Sequence, residues 1–254
     1  MAHVSTPCEP AVLSPEATVG GLVAAKPGRS RIFEQLGIDY CCGGKVALAV
    51  ACDKKGLDTN TVIQMLAAFD SLGAAPAEAV DPAGMTLAAL ADHIEQTHHA
   101  YLKTELPRLD FITEKVSRVH GDHDPRLAEM RTAFVGLSQE MLSHMQKEEH
   151  ILFPMIRRLE QSRNASILHC GTLANPIHQM ESEHDSAGGA MARMRELTDN
   201  FTPPAWACNT YRAMLDALAQ LERDLHQHVH KENNVLFPRA LEFEQSLAPT
   251  AGSL

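Results

Sequence analysis

A chain of 254 residues, 44% hydrophobic and 21% charged, is long enough to bury one large core or two smaller ones without help from disulfides. Its formal charge of −10 and lack of a Lys/Arg cluster exclude a general phosphate-binding surface and nucleic-acid partners. No apolar run approaches the ~18 residues a membrane span needs, whereas fourteen histidines call for a use.

The opening MAHVSTPCEPAVL has no basic segment followed by an apolar stretch, so no secretory signal is expected and a cytoplasmic location follows. The six cysteines, with no Cys-x-x-Cys pair, fit reduced thiols better than a secreted disulfide framework.

Residues 14–72 read as a small helical domain, with helical stretches such as Ser30 to Leu36 and Thr61 to Leu72 separated by glycines. It contains Cys41-Cys42-Gly43-Gly44. The stretch GAAPAEAVDPAG, residues 73–84, is rich in Ala and Pro without apolar periodicity and reads as a linker. Residues 85–245 alternate long helical patterns with breaks near His120 to Asp124, Gln161 to Pro176 and Asn200 to Pro204, leaving four segments. Leu, Met, Ile and Phe recur at three- and four-residue spacing and strand signals are nearly absent. The expected fold is all-α, a four-helix bundle of helices of roughly 45 Å preceded by a small helical domain.

An internal repeat carries the chemistry. HMQKEEHILFP, His144 to Pro154, aligns with HVHKENNVLFP, His228 to Pro238, 84 residues later. Each copy has an upstream histidine at nearly the same distance: His99 lies 45 residues before His144, and His184 lies 44 before His228. One helix hairpin therefore occurs twice. Within each copy a His and a Glu four residues apart share a helix face. Two hairpins packed about an approximate twofold bring together His99, His144, Glu148, His184, His228 and Glu232. Four imidazoles and two carboxylates in a bundle core are a ligand set for two transition-metal ions, each glutamate bridging both. Nitrogen and oxygen donors without thiolate suit iron or manganese better than structural zinc.

A single His-x-x-x-Glu is more often a solvated ion pair than a metal site. Two copies in register, with matched upstream histidines, reverse that preference. The repeat also separates ligands from bystanders: His150 is matched by Asn234 and His230 by Gln146. His226 and His230 lie two positions from His228, about 200° around the helix, and should point away; His98, adjacent to His99, is a weaker candidate.

Glu95, Glu140 and Asp224 each stand four residues before a proposed ligand, and Glu183 stands directly before His184. They are either partners that orient imidazoles or ordinary helix-surface acids. The Pro of each Leu-Phe-Pro removes a helical N–H and is expected to kink the helix and pack at the bundle end. Cys41 and Cys42 are either reactive thiols, if a following helix start lowers their pKa, or small residues in a turn. Cys52, Cys170 and Cys208 read as lone structural thiols.

The duplicated His-x-x-x-Glu bundle resembles the hemerythrin-like domain. Asp39-Tyr40-Cys41-Cys42-Gly43-Gly44-Lys45 ahead of a linker and this bundle is similar to the di-iron "repair of iron centres" family, and Met180-Glu181-Ser182-Glu183-His184-Asp185 and Glu232-Asn233-Asn234-Val235-Leu236-Phe237-Pro238-Arg239-Ala240-Leu241 strengthen the match. The resemblance spans about Thr18 to Leu241. It implies two non-haem iron ions, oxo- or hydroxo-bridged, in a bacterial cytoplasmic protein that helps restore iron–sulfur clusters damaged by nitrosative or oxidative stress. It implies iron donation to damaged or apo iron–sulfur proteins rather than enzymatic turnover, small ligands such as NO or O₂, and a homodimer through the N-terminal domain. A sensor or reservoir for NO or O₂, or a di-iron NO reductase, remains open. By the same resemblance Glu140 and Glu183 stand beside the metals, and Cys41 and Cys42 serve redox chemistry or partner contact. Two stretches depart from the family pattern: Met1 to Leu13 with Cys8, and Gln161 to Ile177 with His169 and Cys170.

Overall fold

The computed structural model describes residues 12–71, 81–165 and 171–247. Among these the chain is helices and turns, with one isolated β-bridge between Thr18 and Ala47. It divides into two compact units: Met1–Met85 together with His230–Val235, and Thr86–Val229 together with Leu236–Leu254. Most of the 73–84 stretch lies outside the described residues. Its end, Pro82–Gly84, is a 3-10 turn capped by Asp81, whose Oδ1 accepts the Ala83 N–H at 3.0 Å.

The first unit contains α1 (Val19–Ala25), α2 (Ser30–Leu36), α3 (Leu48–Lys54) and α4 (Thr59–Ser71). Side-chain oxygens cap two of them: Thr18 accepts from Gly21 N–H at 3.2 Å, and Asp58 from Thr61 N–H at 2.8 Å. Helix α2 stops at Gly37, whose φ of 65° is left-handed and free of a Cβ clash. Leu22, Phe33, Leu48 and Leu66 are fully buried and form the small core with Tyr40. Arg29 is buried too, and every direction of its guanidinium is used: it donates to Asp70 at 2.7 and 3.2 Å and to the Leu22 carbonyl at 2.9 Å. A buried cation needs such partners.

One turn from a distant helix completes this unit. The His230 ring packs edge-on against Tyr40, with centroids 5.4 Å apart. Asn234 donates its amide to the carbonyls of Cys41 (3.0 Å) and Tyr40 (3.3 Å). Its side chain fills a notch that two glycines leave: a Cβ on Gly20 or Gly44 would lie 2.3 or 2.2 Å from Asn234 Oδ1.

The rest of the described chain forms four helical rods, one of which passes through the His230–Val235 turn assigned to the first unit. Helix α5 (Leu87–Ile94) runs through a π-turn, Glu95–His99, into α6 (Ala100–His120). Helix α7 (Arg126–Lys147) runs through Glu148–Leu152 into α8 (Phe153–Ser162). Helix α9 (Ala174–Leu197) stands alone, and α10 (Asn209–Lys231) runs through Glu232–Leu236 into α11 (Phe237–Ser246). The core comes from the three- and four-residue spacing, as in Leu102, Leu106 and Leu109 of α6 against Phe134, Met191, Leu218 and Leu221.

Pro154 and Pro238 occupy the first turn of α8 and α11, directly after a π-turn. In that first turn the proline's missing N–H breaks no intrahelical hydrogen bond of α8 or α11. The rods' far ends are tied across each hairpin. Glu160 on α8 accepts Leu87 and Ala88 N–H at the start of α5 (2.8 and 2.9 Å), and Glu244 on α11 accepts Leu173 N–H and the Thr172 hydroxyl at the start of α9 (3.1 and 3.2 Å).

Burial alone would raise the Asp70 pKa, but hydrogen bonds from Arg29 and Lys26 outweigh it and hold the carboxyl below its ordinary value. A depressed carboxylate contributes stability above its unfolded pKa of about 3.9 and loses it as the pH falls through the folded value. Asp70→Asn should therefore destabilise the protein by about 2 kcal/mol at pH 7. Its deficit relative to wild type in denaturant melts should shrink below about pH 4.

Candidate metal centre

Two groups of four buried donors converge in the bundle: His99, Glu148, His228 and Glu232, and His144, Glu148, His184 and Glu232, the atoms of each group within 4.8 Å of one another. Both carboxylates belong to both groups. His99, Glu148, His228 and Glu232 are fully buried, and His144 and His184 are nearly so. The imidazoles meet in pairs through Nε2, His99 with His228 at 3.2 Å and His144 with His184 at 3.1 Å. Glu148 Oε2 lies 3.3 Å from both His99 Nε2 and His144 Nε2, so it stands between the groups.

This donor set fits a metal in each group. Two donors at right angles on a first-row ion with bonds of about 2.1 Å lie about 3.0 Å apart, close to the spacing of each imidazole pair. Two fully buried carboxylates also need a compensating positive charge, which two divalent cations provide.

The imidazoles are aimed from behind. His99 Nδ1 meets Glu149 at 2.8 Å, and Lys103 holds the same carboxylate at 2.7 and 2.8 Å. His144 Nδ1 meets Glu183 at 2.9 Å, and Lys147 and Gln179 hold Glu183 in turn. A carboxylate accepting from Nδ1–H fixes the tautomer that leaves Nε2 free to ligate. Burial would raise both acids, but the hydrogen bonds outweigh it: Glu149 lies below its ordinary value, and Glu183 is held down at about 2. From the ligand side, the aromatic ring of each Leu-Phe-Pro stacks on the upstream histidine of its own hairpin. Phe153 lies on His99 (5.7 Å, 16°) and Phe237 on His184 (6.2 Å, 4°).

The six residues selected by the repeat are those brought together, and Glu183 stands beside His144. Glu140 does not join them: it is exposed on α7, and Glu183 takes the Nδ1 of His144. Glu95 pairs with Arg157 at 2.7 Å. Asp224 holds the Nδ1 of His98 at 2.8 Å, and His98 is buried with its ring stacked flat on His228 (5.3 Å, 5°). The sequence reading passed over His98 and Glu149. Glu149 has Asn233 as its repeat counterpart, so register gave no signal for it; a charged residue directly after a ligand was the cue. Of the bystanders, His150 is exposed, His226 half-buried, and His230 buried against Tyr40, where desolvation pushes it down to about 4.

Cys41 and Cys42 sit in a turn rather than at a helix start, since α3 begins only at Leu48. Contact with Cys42, followed by burial, pushes the Cys41 thiol well up, opposite to the helix-start expectation. Cys52 is a core thiol, whereas Cys208 is exposed with His120 Nε2 at 3.2 Å. Cys8, His169 and Cys170 lie outside the described residues.

A helical bundle with paired imidazoles and shared carboxylates at its centre defines a hemerythrin-like metal-binding protein. Residues 90–240 match the family model described as the hemerythrin HHE cation binding domain, and residues 15–70 match ScdA_N, a domain of unknown function. The iron-sulfur cluster repair protein YtfE of Yersinia pseudotuberculosis serotype O:1b (strain IP 31758) is 37% identical over 227 residues, 89% of this chain and 97% of the relative. YtfE of Yersinia pestis (strain Pestoides F) matches at the same identity and coverage. The chain belongs to this family of hemerythrin-like proteins with an N-terminal ScdA_N domain.

Metal content of purified variants tests the geometry. Glu148→Ala and Glu232→Ala should lose most of the bound metal, each removing a donor common to both groups, while His226→Ala retains it. In chelator competition Glu149→Gln and Glu183→Gln should weaken retention by about ten-fold or more, and Glu140→Gln should match wild type.

Proposed function

We propose that this chain is a di-iron protein of the cytoplasm that repairs iron–sulfur clusters damaged by nitrosative or oxidative stress, by supplying iron rather than by catalytic turnover. The observation that carries the reading is the pair of four-donor groups sharing Glu148 and Glu232, in a chain 37% identical to relatives named for iron–sulfur cluster repair. Iron suits a nitrogen and oxygen donor set without thiolate. An oxo or hydroxo bridge would complete the pair.

Iron bound there would supply redox-active, exchangeable cations. The protein's part is to orient and to hold. Glu149 and Glu183 keep the imidazoles aimed, Phe153 and Phe237 cover His99 and His184, and burial keeps bulk water from the donors. Each group has four protein donors, two of them shared, short of the six that octahedral iron takes. That shortfall supports release to damaged or apo iron–sulfur proteins, and it equally accommodates small ligands such as NO or O₂.

The test is transfer of isotopically labelled iron from the loaded protein to an apo iron–sulfur dehydratase with a sulfide source. The expected result is reactivation that tracks label appearing in the client, with Glu148→Ala inactive. Catalytic consumption of NO without transfer would identify an NO reductase instead; neither transfer nor turnover, with NO bound, would identify a sensor.

A further inference from the structure

We propose that Asp39, Cys41 and Cys42 form a second cation site, in the N-terminal unit, which takes one borderline divalent transition-metal ion such as Fe(II) or Zn(II). The site does not depend on the repair reading and has a different donor chemistry from the bundle centre.

The three residues each offer a ligand atom within 4.8 Å of the others. The two sulfurs are 4.0 Å apart, and Cys41 Sγ is 3.1 Å from Asp39 Oδ1. A tetrahedral ion with metal–sulfur bonds of about 2.3 Å sets its sulfurs about 3.8 Å apart, and with a carboxylate oxygen at about 2.0 Å sets oxygen and sulfur about 3.5 Å apart. Both spacings are within about half an ångström of those present, so the donors need little movement to close on an ion. Thiolates with a carboxylate select a zinc- or iron-like cation over magnesium or calcium.

The loop that carries them is fixed from several sides. Asp39 accepts the N–H of Cys41 through Oδ1 and of Gly43 through Oδ2, both at 2.9 Å. Gly20 N–H donates to the Gly44 carbonyl at 2.8 Å, Val46 N–H to the Gly43 carbonyl at 3.0 Å, and Asn234 holds the Tyr40 and Cys41 carbonyls. A Cβ on Gly43 would come 3.1 Å from Asp39 Oδ2, a tight fit, and one on Gly44 would strike Asn234. Donors held in advance bind without the entropy of gathering them. Cys41 is buried, Cys42 half-buried and Asp39 exposed, so the fourth position of a tetrahedral ion faces outward. Binding forms two metal–sulfur bonds and breaks two S–H bonds; both protons leave to solvent and no electron is transferred.

The test uses the full chain with its bundle centre loaded with iron, reduced and anaerobic, titrated with Co(II) as the probe. One equivalent should bind with a thiolate-to-cobalt charge-transfer band, which nitrogen and oxygen donors in the bundle do not give, and Zn(II) should displace it. Cys42→Ser, at a half-exposed position that folding tolerates, should abolish the band with iron content and helicity unchanged. Cys41→Ser should do the same, and Asp39→Asn should weaken binding about ten-fold. No band in wild type, or an undiminished band in Cys42→Ser from the remaining thiols, would overturn the site.

Discussion

Glu148 and Glu232 are removed from water altogether, and a carboxylate in that position is tolerable only where positive charge and directed donors meet it. Much of the second unit follows from that requirement. The helices are long because the ligands must reach one level of the bundle from opposite directions. The π-turns fall at His99, Glu148 and Glu232, three of the six donors, where a widened turn re-aims a side chain. The caps from Glu160 and Glu244 fasten the two ends of each hairpin, so the donors are presented by rods held at a distance from the centre. Stability and site geometry are linked here: an ion that neutralised the carboxylates would also link the hairpins.

The two halves are not equal copies. One pair of imidazoles, His144 and His184, is backed by Glu183 with its lysine and amide. The other pair has Glu149 behind His99 and the flat His98 ring, anchored to Asp224, against His228. His98 occupies the repeat position of Glu183, so an imidazole held by Asp224 stands where the other half has a carboxylate. Two ions in such surroundings would differ in the negative charge around them, and the electron density each imidazole donates rises with the anion behind it. The repeat carries the candidate ligands, and their unlike neighbours make the two halves inequivalent.

The candidate ligands were legible because register is a strict test: the His/Glu pairs recur 84 residues apart and the upstream histidines 85 apart, which surface pairs have no reason to do. The aromatic ring in Leu-Phe-Pro and the caps at Glu160 and Glu244 obey the same register, and a longer alignment of the repeat contains them. What register missed are residues present in one copy only. Glu149 faces Asn233 and His98 faces Glu183, so their roles emerge from side-chain geometry alone. Glu140 stands four residues before His144 on α7 but is exposed, and it is Glu183 that meets His144 Nδ1. For Cys41 and Cys42 the structure selects the turn of the two alternatives, and what holds that turn, Asn234, lies almost two hundred residues away in sequence. The fold itself, all helical with a small unit ahead of a bundle, was readable from apolar spacing.

Each π-turn also acts as a ruler. It holds one residue more than the α-helical turn it replaces, and a residue added to or taken from such a rod rotates everything beyond it by about 100°. Glu148 and Glu160 are twelve residues apart, as are Glu232 and Glu244. Loss of one residue inside 232–236 would swing Phe237 off His184 and Glu244 away from the start of α9 together, so the ligand, the stacking ring and the cap are phase-locked. The length of these rods is therefore constrained wherever a ligand, a stacking ring and a cap share one of them.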